Sequence, residues 1–282
     1  MAVSHDFAPG DAEHPDFVDF WDDLSLWSAP FGLALLDRVP LRGVSTIVDV
    51  GAGTGFAAIE LAQRCGAGTR IIAVDPWLAA TQRIWRKVAY YELHNVEVIA
   101  QDITLVDLPT ASVDVVISNL GINNFTDPPA VLATCGRLLR DDGYLALTTN
   151  FSGHMAEFYG VFRDVLHGVG LSESVSALDD HVAHRGTYDG LVTMLTDADF
   201  AVVDHHAETF RLRYADGSAF LRHWFIRTAF MPGWRAVLPP GRVGDVFLAL
   251  EGRLNELAAH DGELAVTVPV DYIGARRRGT PR

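Results

Sequence analysis

Two acids and three glycines define the chemistry open to this chain. Asp49 precedes Gly51, Gly53 and Gly55, spaced at two-residue intervals, and Asp75 follows about 20 residues later. Glycine removes the Cβ, so backbone can run close to a ligand and take positive φ where a tight turn needs it. A helix leaving such a turn offers unpaired N–H groups and the positive end of its dipole. An acid at the end of the next strand accepts ribose hydroxyls. Together these residues point to a nucleoside-bearing cofactor. A plain strand-to-helix turn has the same local composition, so the surrounding elements carry the weight.

Those elements are the ones the reading requires. An apolar run, Val44 to Val50, leads into the glycines, and Ala57-Ala58-Ile59-Glu60-Leu61-Ala62 leaves them with helical spacing. A second strand, 70–75, ends in Asp75 and a third, Val96 to Ala100, ends in Gln101-Asp102-Ile103. Between them Trp77, Thr81, Ile84, Val88 and Tyr91 fall on one helical face. Val113 to Asn119 is a fourth strand, followed by Leu120 to Phe125 with two further asparagines, Asn123 and Asn124. A helix from Pro128 with Val131, Leu132, Cys135, Leu138 and Leu139 inward precedes the turn Arg140-Asp141-Asp142-Gly143 and a fifth strand, 144–150.

The pattern Asp49-x-Gly51-x-Gly53-x-Gly55 resembles the first motif of class I S-adenosylmethionine-dependent methyltransferases. A dinucleotide fingerprint would have its third glycine where Phe56 stands, so NAD is not expected. "Arg-Leu-Leu-Arg-Asp-Asp-Gly-Tyr-Leu" (137–145) is similar to that family's later helix-turn-strand motif. The resemblance covers residues 41–150 in motif and the remainder in topology, closest to enzymes acting on quinone precursors, acyl carriers and small metabolites. It implies an α/β, doubly wound, Rossmann-like sheet of seven strands, the last antiparallel, with helical lid and cap segments. It also implies S-adenosyl-L-methionine held by Asp49, Gly51, Gly53, Gly55, Asp75, Pro76, Trp77, Asp102, Ile103 and Asn119. Asp102 would accept from the adenine amine and Asn119 would lie near the methyl-donor sulfur. An Asx turn is the plainer role for Asp102, and turn-making accounts for one or two of the asparagines.

The flanking segments read as additions to this core. Residues 1–40 form a lid of amphipathic helices with Phe17, Phe20, Trp21, Leu24 and Trp27 at helical spacing, after a partly ordered stretch 1–15. Residues 41–150 form the cofactor half, and 151–282 a C-terminal half with cap insertions and the closing strands. In that half a helix carries Met155, Phe158, Phe162, Leu166 and Val169, and 172–187 is a polar cap segment. Phe200 to Tyr214 is a long strand, and 217–230 and 243–257 are helical. In the final strand, 264–273, Pro269 lacks a ladder N–H, which places the strand at an edge or breaks it there.

Methyl transfer is an in-line displacement in which proximity does much of the work, and a base is needed only if the nucleophile must lose a proton. Candidate catalytic residues are His154, Tyr159 and Asn123, with Glu157, His181 and Arg185 nearby. A closed pocket for a small molecule is expected, lined by Trp21, Trp27, His181, Arg185, Trp224 and Trp234 and floored by Asn123 and Asn124. Two alternatives stay open: a non-catalytic binding protein of the same fold, and another reaction using the same cofactor.

Composition narrows the partners. The chain has 282 residues, 36 acidic against 22 basic, and a net charge of −14, which disfavours nucleic acid. Arg276-Arg277-Arg278 reads as a solvated tail. Cys65 and Cys135 read as inward-facing helix residues, not as a bridge or metal site. His181 and His184 have no ligand set around them, no Gly-x-Ser-x-Gly elbow is present, and no apolar run is long enough to cross a membrane. The expected setting is cytoplasmic, with a small-molecule substrate and no metal, nucleic acid or membrane partner. Oligomeric state is left open, a homodimer being the candidate assembly.

Overall fold

A computed structural model describes residues 7–11, 14 and 16–279. Two helices, α1 (Phe17–Asp23) and α2 (Ala29–Arg38), precede β1 (Thr46–Val50), α3 (Phe56–Cys65), β2 (Arg70–Val74), α4 (Leu78–Tyr90) and β3 (Val96–Ile99). Then come β4 (Val113–Asn119), α5 (Pro128–Leu138), β5 (Leu139–Thr149), α6 (Ala156–Gly168), α7 (Ser174–Ala183) and α8 (Tyr188–Asp197). The chain closes with β6 (Phe200–Tyr214), α9 (Gly217–Arg222), α10 (Met231–Ala236), α11 (Val243–Asp261) and β7 (Leu264–Arg277).

The strands form one seven-stranded sheet in the order β3-β2-β1-β4-β5-β7-β6. The pairs β1–β2, β1–β4, β2–β3 and β4–β5 are parallel, and β5–β7 is antiparallel. This is the doubly wound, seven-stranded arrangement with an antiparallel final strand that the sequence predicts. Strand order reverses between β1 and β4, which opens a crevice beyond their carboxyl ends. Both sheet faces are apolar because residues alternate across them. Val48, Val50, Ile72, Val74 and Val116 pack with Leu132, Leu138 and Phe200, while Ile47, Ile71, Ala73 and Ile117 pack with Leu35, Ala58 and Leu61.

The chain divides into two compact units. One comprises Val18–Phe151, Gly186–Glu208 and the chain from Val270 onward, and contains both of these core clusters. The other comprises the described residues up to Phe17 together with Ser152–Arg185 and Thr209–Pro269. The second unit is built on aromatic packing. Trp234 is fully buried, with its ring centroid 4.2 Å from Phe158, 5.9 Å from Phe220 and 5.8 Å from Phe230. Phe162 and Phe247 extend the cluster at 6.2 Å.

Several expectations are corrected here. Trp234 is a core residue of the second unit, not a pocket wall, because Phe158 of α6, Phe220 of α9 and Phe230 close around it. Residues 172–187 contain the regular helix α7. The α4 face is narrower than its spacing predicts: Trp77 is the N-cap and Tyr91 lies past the end, both exposed, leaving Ala80, Thr81 and Ile84 buried. Pro269 neither ends nor breaks β7, and β7 is not at the sheet edge. The β5 pairing stops at Asp271, so no partner on that side needs an N–H from Pro269. Arg276 and Arg277 are not a free tail: they lie in β7 and donate to the Asp142 and Leu139 carbonyls. Cys135 is buried, but Cys65, at the end of α3, is only partly so. Residues 1–6, 12, 13 and 15 of the N-terminal stretch lie outside the described residues.

Strand β5 begins five residues earlier than its apolar run. Val113 pairs with Leu139 but Val115 with Tyr144, so Arg140 to Gly143 form a bulge. The bulge brings Tyr144 opposite β7, where its hydroxyl meets that of Tyr272 at 2.9 Å in a buried pair. Tyr144→Phe removes one partner and leaves the other hydroxyl buried without it. A loss of about 1–2 kcal/mol is expected, read as a lower urea midpoint at unchanged slope.

Candidate active site

The glycine turn sits where β1 ends. The Gly51 and Ala52 amides donate to the Val74 carbonyl, at 2.9 and 3.1 Å, which ties the turn to β2. Gly51, Gly53 and Gly55 all have positive φ, at 72°, 54° and 90°. Gly55 needs this freedom as the left-handed N-cap of α3, and a Cβ there would come within 2.9 Å of Ile84. Gly53 differs: a Cβ built on it meets nothing within 4 Å. The side of its Cα where a side chain would stand is therefore open, while its amide is bonded to protein.

Asp75 fixes that face. Its carboxylate accepts from the Gly53 amide at 2.7 Å and from the Trp77 amide at 2.8 Å. Burial nonetheless raises its pKa above the ordinary carboxylate value, and the two amide bonds only moderate this. Pro76 and Trp77, beside it, are exposed. Asp49 lies one residue pair back in β1 and is 1 % exposed. Neither of its oxygens has a hydrogen-bond partner of ordinary geometry, the Ala58 amide being the nearest help.

Desolvation, then the nearby Asp75 charge, push the Asp49 pKa from 3.8 up to about 7. The folded chain therefore holds a proton that the unfolded chain has lost between about pH 4 and 7. Over that window Asp49 lowers stability as pH rises, with a limiting slope of about 1.4 kcal/mol per pH unit. Asp49→Asn should flatten the ligand-free protein's stability profile there, and thermal melts of the two proteins from pH 4 to 8 check it. Parallel profiles would contradict the assignment.

The other expected cofactor residues stand as follows. Asp102 is exposed at the end of β3, and its Oδ1 accepts from both the backbone N and the hydroxyl of Thr104, an Asx-type cap on the turn Ile103–Leu105. Ile103 is buried. Asn119, at the end of β4, accepts from the Thr148 hydroxyl at 2.6 Å and donates to the Ser28 carbonyl at 3.5 Å. Leu120 then takes a left-handed φ of 63°, turning the chain sharply out of the sheet.

The candidate catalytic residues do not form one cluster within either unit. Asn123 belongs to the first unit and is tied to the end of β5: its amide donates to Asn150 Oδ1 at 2.7 Å and accepts from the Thr149 hydroxyl at 2.9 Å. His154 and Tyr159 belong to the second, with ring centroids 5.7 Å apart. Burial, then Arg185 and His181, lower the His154 pKa to about 3, so its ring is neutral at ordinary pH and a weak base. The Tyr159 hydroxyl accepts from Trp234 Nε1 at 3.0 Å, and burial raises its pKa. Glu157 is occupied by the Thr267 amide and hydroxyl. Among the described residues no three His, Cys, Asp or Glu side chains are grouped to hold a metal, and no helix is long and apolar enough to cross a membrane.

The sequence reading missed a polar latch beside the turn. Asp22 of α1 pairs with Lys87 at 2.6 Å and with Arg83 at 2.7 Å, both on α4. Lys87 also donates to the Thr54 carbonyl in the glycine turn at 2.8 Å. Burial works against the Asp22 charge, but the hydrogen bonds from Lys87 and Arg83 outweigh it and hold the pKa below the ordinary value. Asp19 pairs with Arg83 and Arg86. The signal was present as opposed charge stripes: Asp19, Asp22 and Asp23 against Arg83, Arg86 and Lys87, each at helical spacing.

Comparison with known proteins agrees with this geometry. Residues 48–147 match the family described as a methyltransferase domain. The chain is 29 % identical over 273 residues to nocamycin O-methyltransferase of Saccharothrix syringae, covering 89 % of this chain and 93 % of that protein. Among solved structures, a putative methyltransferase of Bacillus halodurans superposes with a TM-score of 0.59 at 16 % identity, over 88 % of this chain and 98 % of its own. A geranyl diphosphate methyltransferase in complex with SAM gives 0.54 at 18 % identity, over 98 % and 96 %.

Proposed function

We propose that this chain, a class I S-adenosylmethionine-dependent methyltransferase acting on a small molecule, methylates its acceptor at oxygen and holds the cofactor on the Gly51–Gly55 turn. The observation that carries the proposal is the pairing of an open glycine backbone with an orphaned acid. Gly53 is open on the side where a Cβ would stand, and Asp49 lies buried beside the same turn with neither oxygen hydrogen-bonded. A cationic amino-acid group suits that carboxylate. The oxygen acceptor is favoured by the relative from Saccharothrix, an O-methyltransferase matched over nearly its whole length.

The cofactor supplies a methyl group on a sulfonium, whose departure as a neutral thioether needs no proton. The chain's task is then to bind and orient. Asp75, held by the Gly53 and Trp77 amides, has lone pairs left for ribose hydroxyls. Asp102 keeps Oδ2 for the adenine amine, with Ile103 beneath it. Asn119, anchored by Thr148, fixes the end of β4 where the donor sulfur would lie. Pro76 and Trp77 offer an exposed edge to the adenine. His154, Tyr159 and Asn123 serve positioning better than proton removal, since His154 is a weak base, burial raises the Tyr159 pKa, and Asn123 is committed to Asn150 and Thr149. Of the expected lid, residues 1–40, the part from Val18 to Arg38 acts on the cofactor turn. The Asp22–Lys87–Thr54 chain and the Asn119–Ser28 bond support this, linking α1 and the residue before α2 to the two walls of the site.

The test is mass spectrometry of candidate hydroxy and carboxylic acids incubated with the full chain and methyl-labelled cofactor. Label on oxygen supports the reading; label found only on nitrogen or carbon overturns the choice of acceptor.

A further inference from the structure

Among its described residues, the second unit holds a cation with no counter-charge. Arg185 is half-buried, yet its guanidinium has neither an ion pair nor a hydrogen bond among the described residues. The ring of Phe230 lies 5.7 Å from the guanidinium carbon. Every comparable arginine nearby is satisfied: Arg163 pairs with Asp179 at 2.7 Å, and Arg227 and Arg235 donate to the Ala8 and Phe7 carbonyls. In a chain with 14 more acids than bases, leaving a half-buried guanidinium without a carboxylate is unexpected.

Other donors surround it. His154 packs against Phe230 with centroids 5.5 Å apart and against Tyr159 at 5.7 Å. His181 lies 6.4 Å from the Tyr159 ring and sits so close over Gly233 that a Cβ there would come within 2.6 Å of it. Tyr159 receives the Trp234 N–H, and its own hydroxyl proton has no acceptor among the described residues. The groups facing Arg185 are thus two imidazoles, a phenol and an aromatic ring, with no carboxylate among them.

We infer that Arg185, with Tyr159 and His181, is a binding subsite for the carboxylate of an apolar or aromatic acid. A guanidinium presents a planar fork that fits a carboxylate with two parallel hydrogen bonds. The phenol proton supplies a third donor, and Phe230 and Phe225 give the apolar flank that such an acid needs. A single positive charge favours a monoanion over a phosphate dianion. Burial and the Arg185 charge hold both histidines below their usual pKa range, which leaves Arg185 as the fixed charge of the cluster.

The experiment uses the full chain and two probes of equal shape, 2-naphthoate and the neutral 2-naphthamide, titrated by calorimetry. Naphthoate should bind at least tenfold more tightly to the native protein. Arg185→Gln should bring the two probes to within about twofold of each other, and Arg185→Lys should keep most of the preference. Native-like melts of both variants guard against misfolding. Equal affinities in the native protein, no naphthoate binding up to millimolar concentration, or an undiminished preference in Arg185→Gln would each overturn the subsite. S-adenosylmethionine titrated into the same samples tests the methyltransferase reading separately from the subsite. If it binds the native protein while naphthoate shows no preference, the subsite alone fails. If it does not bind, the methyltransferase reading fails, and the naphthoate comparison still decides the subsite.

Discussion

Asp75→Ala is expected to weaken binding of S-adenosylhomocysteine, the demethylated cofactor, by about 1–3 kcal/mol, roughly 5–150-fold. Two losses add in the same direction. The ribose hydroxyls lose their acceptor, and the Gly53 and Trp77 amides, now held at 2.7 and 2.8 Å, lose the carboxylate that orients the turn. Asp75→Asn separates them: its Oδ1 can still take one amide, so it should fall between native and alanine. The folded state should suffer little, because burial already penalises the Asp75 charge. Calorimetric titration of the three proteins gives the result. Unchanged affinity in Asp75→Ala would mean that the ribose lies elsewhere.

Trp234→Ala is expected to lower stability by about 3–5 kcal/mol, the usual cost of removing a large aromatic side chain from a close-packed core. Trp234 is fully buried, rings from Phe158, Phe220, Phe230 and Tyr159 enclose it, and its N–H is spent on the Tyr159 hydroxyl. Trp234→Phe keeps much of the packing and should cost less than half as much. Urea unfolding of both variants checks this. A loss below about 1 kcal/mol in Trp234→Ala would mean that the residue lines a space instead of filling one, as its sequence position first suggested.

The core of the fold was legible because parallel strands buried on both faces leave unbroken apolar runs, as in Ile71 to Val74 and Val113 to Ile117. The glycine turn was legible because no other residue tolerates three positive φ values in five positions. Less could be read where the decisive partner is distant in sequence. Trp234 and Trp224 look alike along the chain, but one is enclosed by α6 residues some 75 positions away and the other is exposed. The bond from Asn123 to the Asn150 side chain and the one from Lys87 to the Thr54 carbonyl span distances in sequence that periodicity does not register. Pro269 was misjudged because its consequence depends on where β5 stops, a property of the neighbouring strand. The discontinuous second unit, assembled from three stretches of chain, has no local signature at all.

The central claim is that the Gly51–Gly55 turn binds S-adenosylmethionine, and side-by-side calorimetric titration of the full chain with S-adenosylhomocysteine and with NAD tests it most directly. The account predicts one saturable site for S-adenosylhomocysteine, and no heat from NAD, because Phe56 occupies the place of the third dinucleotide glycine. Saturable binding of NAD with none of S-adenosylhomocysteine would contradict it.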